Sequence, residues 1–142
     1  MNEEILIDGQ LCAIIIRSDY DQNGIQFFTP NDLSQQLASM SYKPGKVIPA
    51  HTHRPVPREV LYTQEALFIR KGKLRVDFYT TDQHYHCSRV LGKDEVILLI
   101  AGGHGFEVLE ELNMIEVKQG PYAGELDKTV FRTAVPTQLK FK

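Results

Sequence analysis

Short apolar runs separated by turn residues recur along almost the whole chain, and their period is two, the period of a strand. Residues 4–7 and 10–16 flank Asp8-Gly9, a strong short-range hairpin signal. Asn23-Gly24 marks another turn before I-Q-F-F. T-P-N-D-L at 29–33, with Leu33, Leu37 and Met40 at helical spacing, is compatible with a capped helix. The same stretch reads as a turn followed by a strand from Gln36 to Tyr42. The strand is preferred, because a strand after Gly45 needs an antiparallel neighbour. Further strands are expected at 65–70 and 74–79 around a turn at Lys71-Gly72-Lys73, and at 84–91 and 96–101. A last hairpin, 104–110 with 114–118, is expected to turn at Glu111-Leu112-Asn113. Many short strands with almost no helix imply an all-β sandwich or small barrel. One run, A-I-I-I at 13–16, does not alternate, so both its faces need cover. A partner subunit is the simplest cover, and a homodimer is expected.

The polar residues inside these runs carry the candidate chemistry. His51 and His53 in G-K-V-I-P-A-H-T-H are two apart, so on a strand both imidazoles share a face. Glu65 opens a later run and His104, in A-G-G-H-G-F, another. Parity is consistent: Val47 and Pro49 share a face with the first two, Leu67 and Ile69 with Glu65, and Phe106 and Val108 with His104. Each candidate ligand is therefore expected on a core-facing side. Three imidazoles and one carboxylate make a first coordination shell for one divalent transition metal, with Fe, Mn, Ni, Co and Zn all compatible. A second His-x-His, His84 and His86, adjoins Cys87 but lacks flanking glycines and a well-spaced carboxylate, and is read as a solvent-facing strand.

The spacing resembles the two motifs of the cupin superfamily. Gly45, His51, His53, Glu65 and Gly72 match the first motif, and Gly92, Gly102, Gly103 and His104 the second. The gap of eleven residues from His53 to Glu65 is longer than in the plainest cupins, and Ile100 stands where the second motif usually has Pro. The resemblance, over roughly residues 43–121, implies a double-stranded β-helix, jelly-roll-like barrel. Its core would span about 36–121 of a single domain, 1–142, with the N-terminal hairpin and the tail 129–142 outside it. The chain is similar to small single-domain bacterial cupins found among polysaccharide-biosynthesis genes.

Composition narrows the setting. The 142 residues are 42% apolar and 24% charged with net charge −2, which fits one ordinary globular core. Lys and Arg are scattered, so no nucleic-acid surface is expected. The longest apolar runs are too short to cross a bilayer as helices, so no membrane partner is expected. M-N-E-E lacks the features of a secretory signal, and two thiols, Cys12 and Cys87, make no disulfide framework. A reduced, cytoplasmic location is expected.

The long gap predicts an extra loop at the barrel mouth bearing Arg54, Arg58 and Tyr62, with Tyr122 in K-Q-G-P-Y-A-G closing it. Arginines suit an anionic, ring-bearing ligand. Gln64, of opposite parity to Glu65, is expected to face outward or toward another subunit. No catalytic residue beyond the metal ligands stands out. The expected partner is a small polar molecule, with a sugar nucleotide one candidate. Isomerisation or epimerisation of a sugar or sugar nucleotide is the favoured activity. A non-catalytic, metal-dependent binding module and an Fe(II) oxygenase are the alternatives.

Overall fold

The computed structural model describes residues 1–133 and 138–142. They form an all-β fold of eight strands: β1 Asn2–Ile7, β2 Gln10–Ile16, β3 Gly24–Phe27, β4 Ala38–Ser41, β5 Glu65–Tyr79, β6 Tyr85–Leu91, β7 Val96–Leu99 and β8 Gly103–Lys118. A single 3-10 turn, Gly124–Leu126, follows. No helix among the described residues is long and apolar enough to cross a membrane.

The Asp8-Gly9 hairpin forms as expected: both residues have positive φ, 51° and 80°, as a two-residue turn of right-handed twist requires. The stretch before Gly45 is a turn followed by a strand, β4, which pairs with β3 in a separate two-stranded sheet. All other strands form one antiparallel sheet, ordered β1-β2-β7-β5-β6, with β8 lying along β5. The N-terminal hairpin expected outside the barrel is thus joined to the main sheet through β2 and β7.

Two turns expected from the sequence are instead bulges. β5 runs unbroken through Lys71-Gly72-Lys73, and β8 unbroken through Glu111-Leu112-Asn113, the two segments facing one another where the register shifts. Gly72 has φ +85°, and a Cβ there would sit 2.1 Å from the Glu111 carbonyl oxygen. The close approach of two backbones demands glycine here, and a bulge uses the same residue chemistry as a turn. It also moves the inward positions of β5 from odd numbers (Leu67, Ile69) to even ones (Leu74, Val76, Phe78), all buried in one core cluster.

The long β5–β8 ribbon curls into a half-barrel with two faces. The concave face holds the main cluster, including Ile5, Ile15, Leu67, Val76, Phe78, Leu91 and Ile97. The convex face holds Ile14, Ala66, Leu98 and Ile100, covered by Phe28, Leu33 and Leu37. This explains the A-I-I-I run. Ala13 and Ile15 face one cluster and Ile14 the other, so the chain itself covers both sides and the run calls for no partner subunit. Arg17 and Arg89 both reach Glu3, and Arg17 also meets Glu95 at 3.1 Å, pinning β1 and β2 to the β6 and β7 side. Of the tail, the Phe131 ring packs edge-on against Tyr79 at 5.3 Å, and the Lys140 carbonyl accepts from Ser88 N–H at 2.7 Å.

Candidate metal centre

Glu65 and His104 are far apart along the ribbon and close in space. His104 pairs in register with Phe78, thirteen residues beyond Glu65 on β5. A straight strand of that length would span about 40 Å. Instead the ribbon bends at the paired bulges, and His104 Nε2 lies 3.4 Å from Glu65 Oε2. Both side chains point inward, Glu65 in phase with Leu67 and His104 opposite Phe78. They stay partly open to solvent, at 19% and 30% exposure, so a ligand can reach them. The contact with the His104 imidazole holds the Glu65 carboxyl below its usual range, outweighing burial, with Lys118 assisting.

The separation suits a shared ion. Two donors each about 2.1 Å from one metal and about 90–110° apart lie about 3.0–3.4 Å from each other. A charge-assisted hydrogen bond would be shorter, about 2.7–2.9 Å.

His51 and His53 lie elsewhere in character. Residues 46–60 form no strand and are exposed, so the expected ligand strand and its core-facing parity are not found; Val47 is 75% exposed. The reason is local: Pro49, Pro55 and Pro57 withhold backbone donors, and among the described residues no backbone hydrogen bond ties 47–63 to a neighbouring strand. The two imidazoles nevertheless stand together, ring centroids 5.3 Å apart. His51 Nδ1 lies 2.9 Å from the Pro49 carbonyl oxygen. A carbonyl only accepts, so Nδ1 is the donor in this contact, and Nε2 is the ring nitrogen left to face a ligand. The donors thus form two pairs, Glu65 with His104 and His51 with His53. Among the described residues no group of three or more His, Cys, Asp or Glu converges.

Phe106 and Val108, expected in the core, are 42% and 58% exposed although they lie opposite buried Val76 and Leu74. They flank the open side of the half-barrel, where β8 has no further strand beside it among the described residues. Arg54, Arg58, Tyr62 and Tyr122 are all exposed, and none hydrogen-bonds or ion-pairs with Glu65 or His104. Among the described residues the Arg58 guanidinium reaches the Val56 carbonyl alone, at 3.4 Å. His84 is exposed and meets Asp82 at 3.3 Å, and His86 is half-buried. Gln64, expected outside, is buried: its side-chain oxygen accepts from Gln35 N–H at 3.2 Å and its carbonyl from Gln119 N–H at 3.2 Å.

Two residues the sequence did not single out stand beside Glu65. Lys118 is its register partner on β8. Asp127, just past the 3-10 turn, accepts the Thr63 hydroxyl and acts electrostatically on Glu65. Lys118 was in principle legible from strand alternation back from Met114, but only the register reveals what it faces. Asp127 carried no local signal.

Comparison of the chain with protein-family models, curated proteins and solved structures finds no match.

Proposed function

We propose that this chain is a metal-binding protein of the cupin type, and that Glu65, His104, His51 and His53 are the halves of one divalent-metal centre. The observation that carries the reading is the Glu65–His104 separation of 3.4 Å, which suits two donors of one ion. In this reading the curled sheet is the open half of a double-stranded β-helix barrel. The segment 46–64 closes on its open side, where Phe106 and Val108 are exposed. The ion would supply Lewis-acid polarisation of a substrate carbonyl.

The favoured activity is isomerisation or epimerisation of a small polar molecule, a sugar or sugar nucleotide. Such a reaction needs a group that moves a proton. Asp127 supports it, as a carboxylate placed beside the site and oriented by the Thr63 hydroxyl. The exposed, strandless segment bearing His51 and His53 favours a second reading, a metal-dependent binding module without turnover.

Metal analysis of protein purified without chelators or an affinity tag tests the centre, with one divalent ion per chain expected. A screen of nucleotide sugars in deuterated water separates the two readings. Solvent deuterium entering a sugar carbon marks the isomerase, and binding without exchange marks the module. Retention of no ion by wild-type protein rejects both.

A further inference from the structure

Three basic residues of β5 meet acids of β8 in close pairs. Lys71 reaches Glu111 at 2.5 Å, Lys73 reaches Glu110 at 2.7 Å, and Arg75 reaches Glu107 at 2.6 Å. A fourth cross-strand pair is reversed in sense and unmade. Lys118 stands opposite Glu65, but that carboxylate is turned to His104. The nearest acid left to the Lys118 ammonium is its neighbour Glu116, at 3.6 Å, and the lysine side chain is 38% exposed. Its alternation with Met114 and Glu116 puts it on the same concave face as Glu65. The strand pair therefore carries a cation beside the site whose natural partner is committed elsewhere.

We propose that the site takes a small molecule bearing an oxyanion, phosphate or carboxylate, and that Lys118 holds that group. The inference rests on the metal reading of Glu65 and His104 for its position. A divalent ion on those donors neutralises Glu65, so the lysine then faces no unpaired carboxylate across the strands. The ion and Lys118 then balance the charges of Glu65, Asp127 and Glu116, and the ammonium, loosely paired with the solvent-exposed Glu116 at 3.6 Å, offers an oxyanion a point charge at the edge of a half-buried site. The anion subsite is thereby moved from the exposed Arg54 and Arg58 to β8.

The test uses the full chain, with Co2+, inorganic phosphate and acetate as probes. Co2+ titration followed by visible absorption tests the metal reading. Calorimetric titration of phosphate and of acetate, into Co2+-loaded and metal-free protein, tests the subsite. Lys118→Met should weaken the tighter-binding oxyanion by about tenfold or more while leaving Co2+ affinity within about threefold. Lys118→Arg should restore most of the loss, and Arg58→Ala should change nothing. The preferred probe identifies the substrate as a phosphoryl or a carboxylate compound. Binding of neither anion by wild-type protein, or equal affinity in Lys118→Met, overturns the subsite whatever Co2+ does. Absence of Co2+ binding with intact, Lys118-dependent anion binding overturns only the metal reading.

Discussion

The two donor pairs are built in opposite ways. Glu65 and His104 sit on strands paired along their length, above a core that includes Leu67, Val76 and Phe78, each essentially inaccessible to solvent. His51 and His53 sit on an exposed, proline-bearing segment with no strand partner among the described residues. One pair is held before any ligand arrives, because moving it means unpairing a ladder and exposing a core. The other is tied down, among the described residues, within its own segment through the Pro49 carbonyl. Pre-organisation in this chain is thus a property of register and burial, not of the ligand residues.

That contrast can be broken most directly by core truncation. Leu67→Ala should cost about 2–5 kcal/mol in urea denaturation, as expected for a buried leucine. Val47→Ala, at a 75% exposed position, should cost less than about 0.5 kcal/mol. Similar losses would mean that 46–64 is packed as firmly as β5.

Metal affinity sharpens the comparison. Glu65→Ala or His104→Ala should weaken Co2+ binding by about a hundredfold or more, beyond the usual effect of outer-shell changes. His51→Ala should weaken it by about tenfold, since the ordering of its segment is already part of the binding cost, and His84→Ala should leave it unchanged. Equal losses for His51→Ala and His84→Ala would remove the first His-x-His from the site.

Two glycines repeat the contrast in the backbone. Gly72→Ala should cost about 3 kcal/mol, since both its φ of +85° and the Glu111 carbonyl oppose a Cβ. It should also weaken Co2+ binding, because the bend that joins Glu65 to His104 lies there. Gly45→Ala, at φ +91° with nothing within 4 Å, should cost about 1 kcal/mol. Circular dichroism melts of the two variants compare them directly.

The smallest effect is a pH dependence at the far side of the sheet. Burial pushes the Glu3 carboxyl pKa up, but the Arg89 and Arg17 guanidiniums outweigh it and hold it below the ordinary glutamate range. The folded value lies below the unfolded one, so this stabilisation is fully present above about pH 4.5 and lost as pH falls through the lower folded value. Urea midpoints from pH 6 to pH 3 should fall less in Glu3→Gln than in wild type. Identical slopes would remove Glu3 from the acid response.

The chain's all-β class, the Asp8-Gly9 hairpin and the strand before Gly45 were legible in the residues, because each depends on neighbours within a few positions, whereas that strand's partner was not: it pairs with β3 and not with a strand after Gly45. The inward parity of Glu65 with Leu67 and Ile69 was legible too. The bulges at Gly72 and Glu111–Asn113 were not, since a positive-φ glycine flanked by polar residues serves a turn and a bulge equally, and the facing strand decides between them. Gln64 is buried because Gln35 and Gln119 satisfy it from distant segments. Lys118 faces Glu65 only through a register set by the whole ribbon, and Asp127 reaches the site only because the chain doubles back after β8. Local sequence determined which residues alternate and where the chain can turn. Tertiary structure decided which alternating faces meet, because that depends on pairing between residues far apart in the chain.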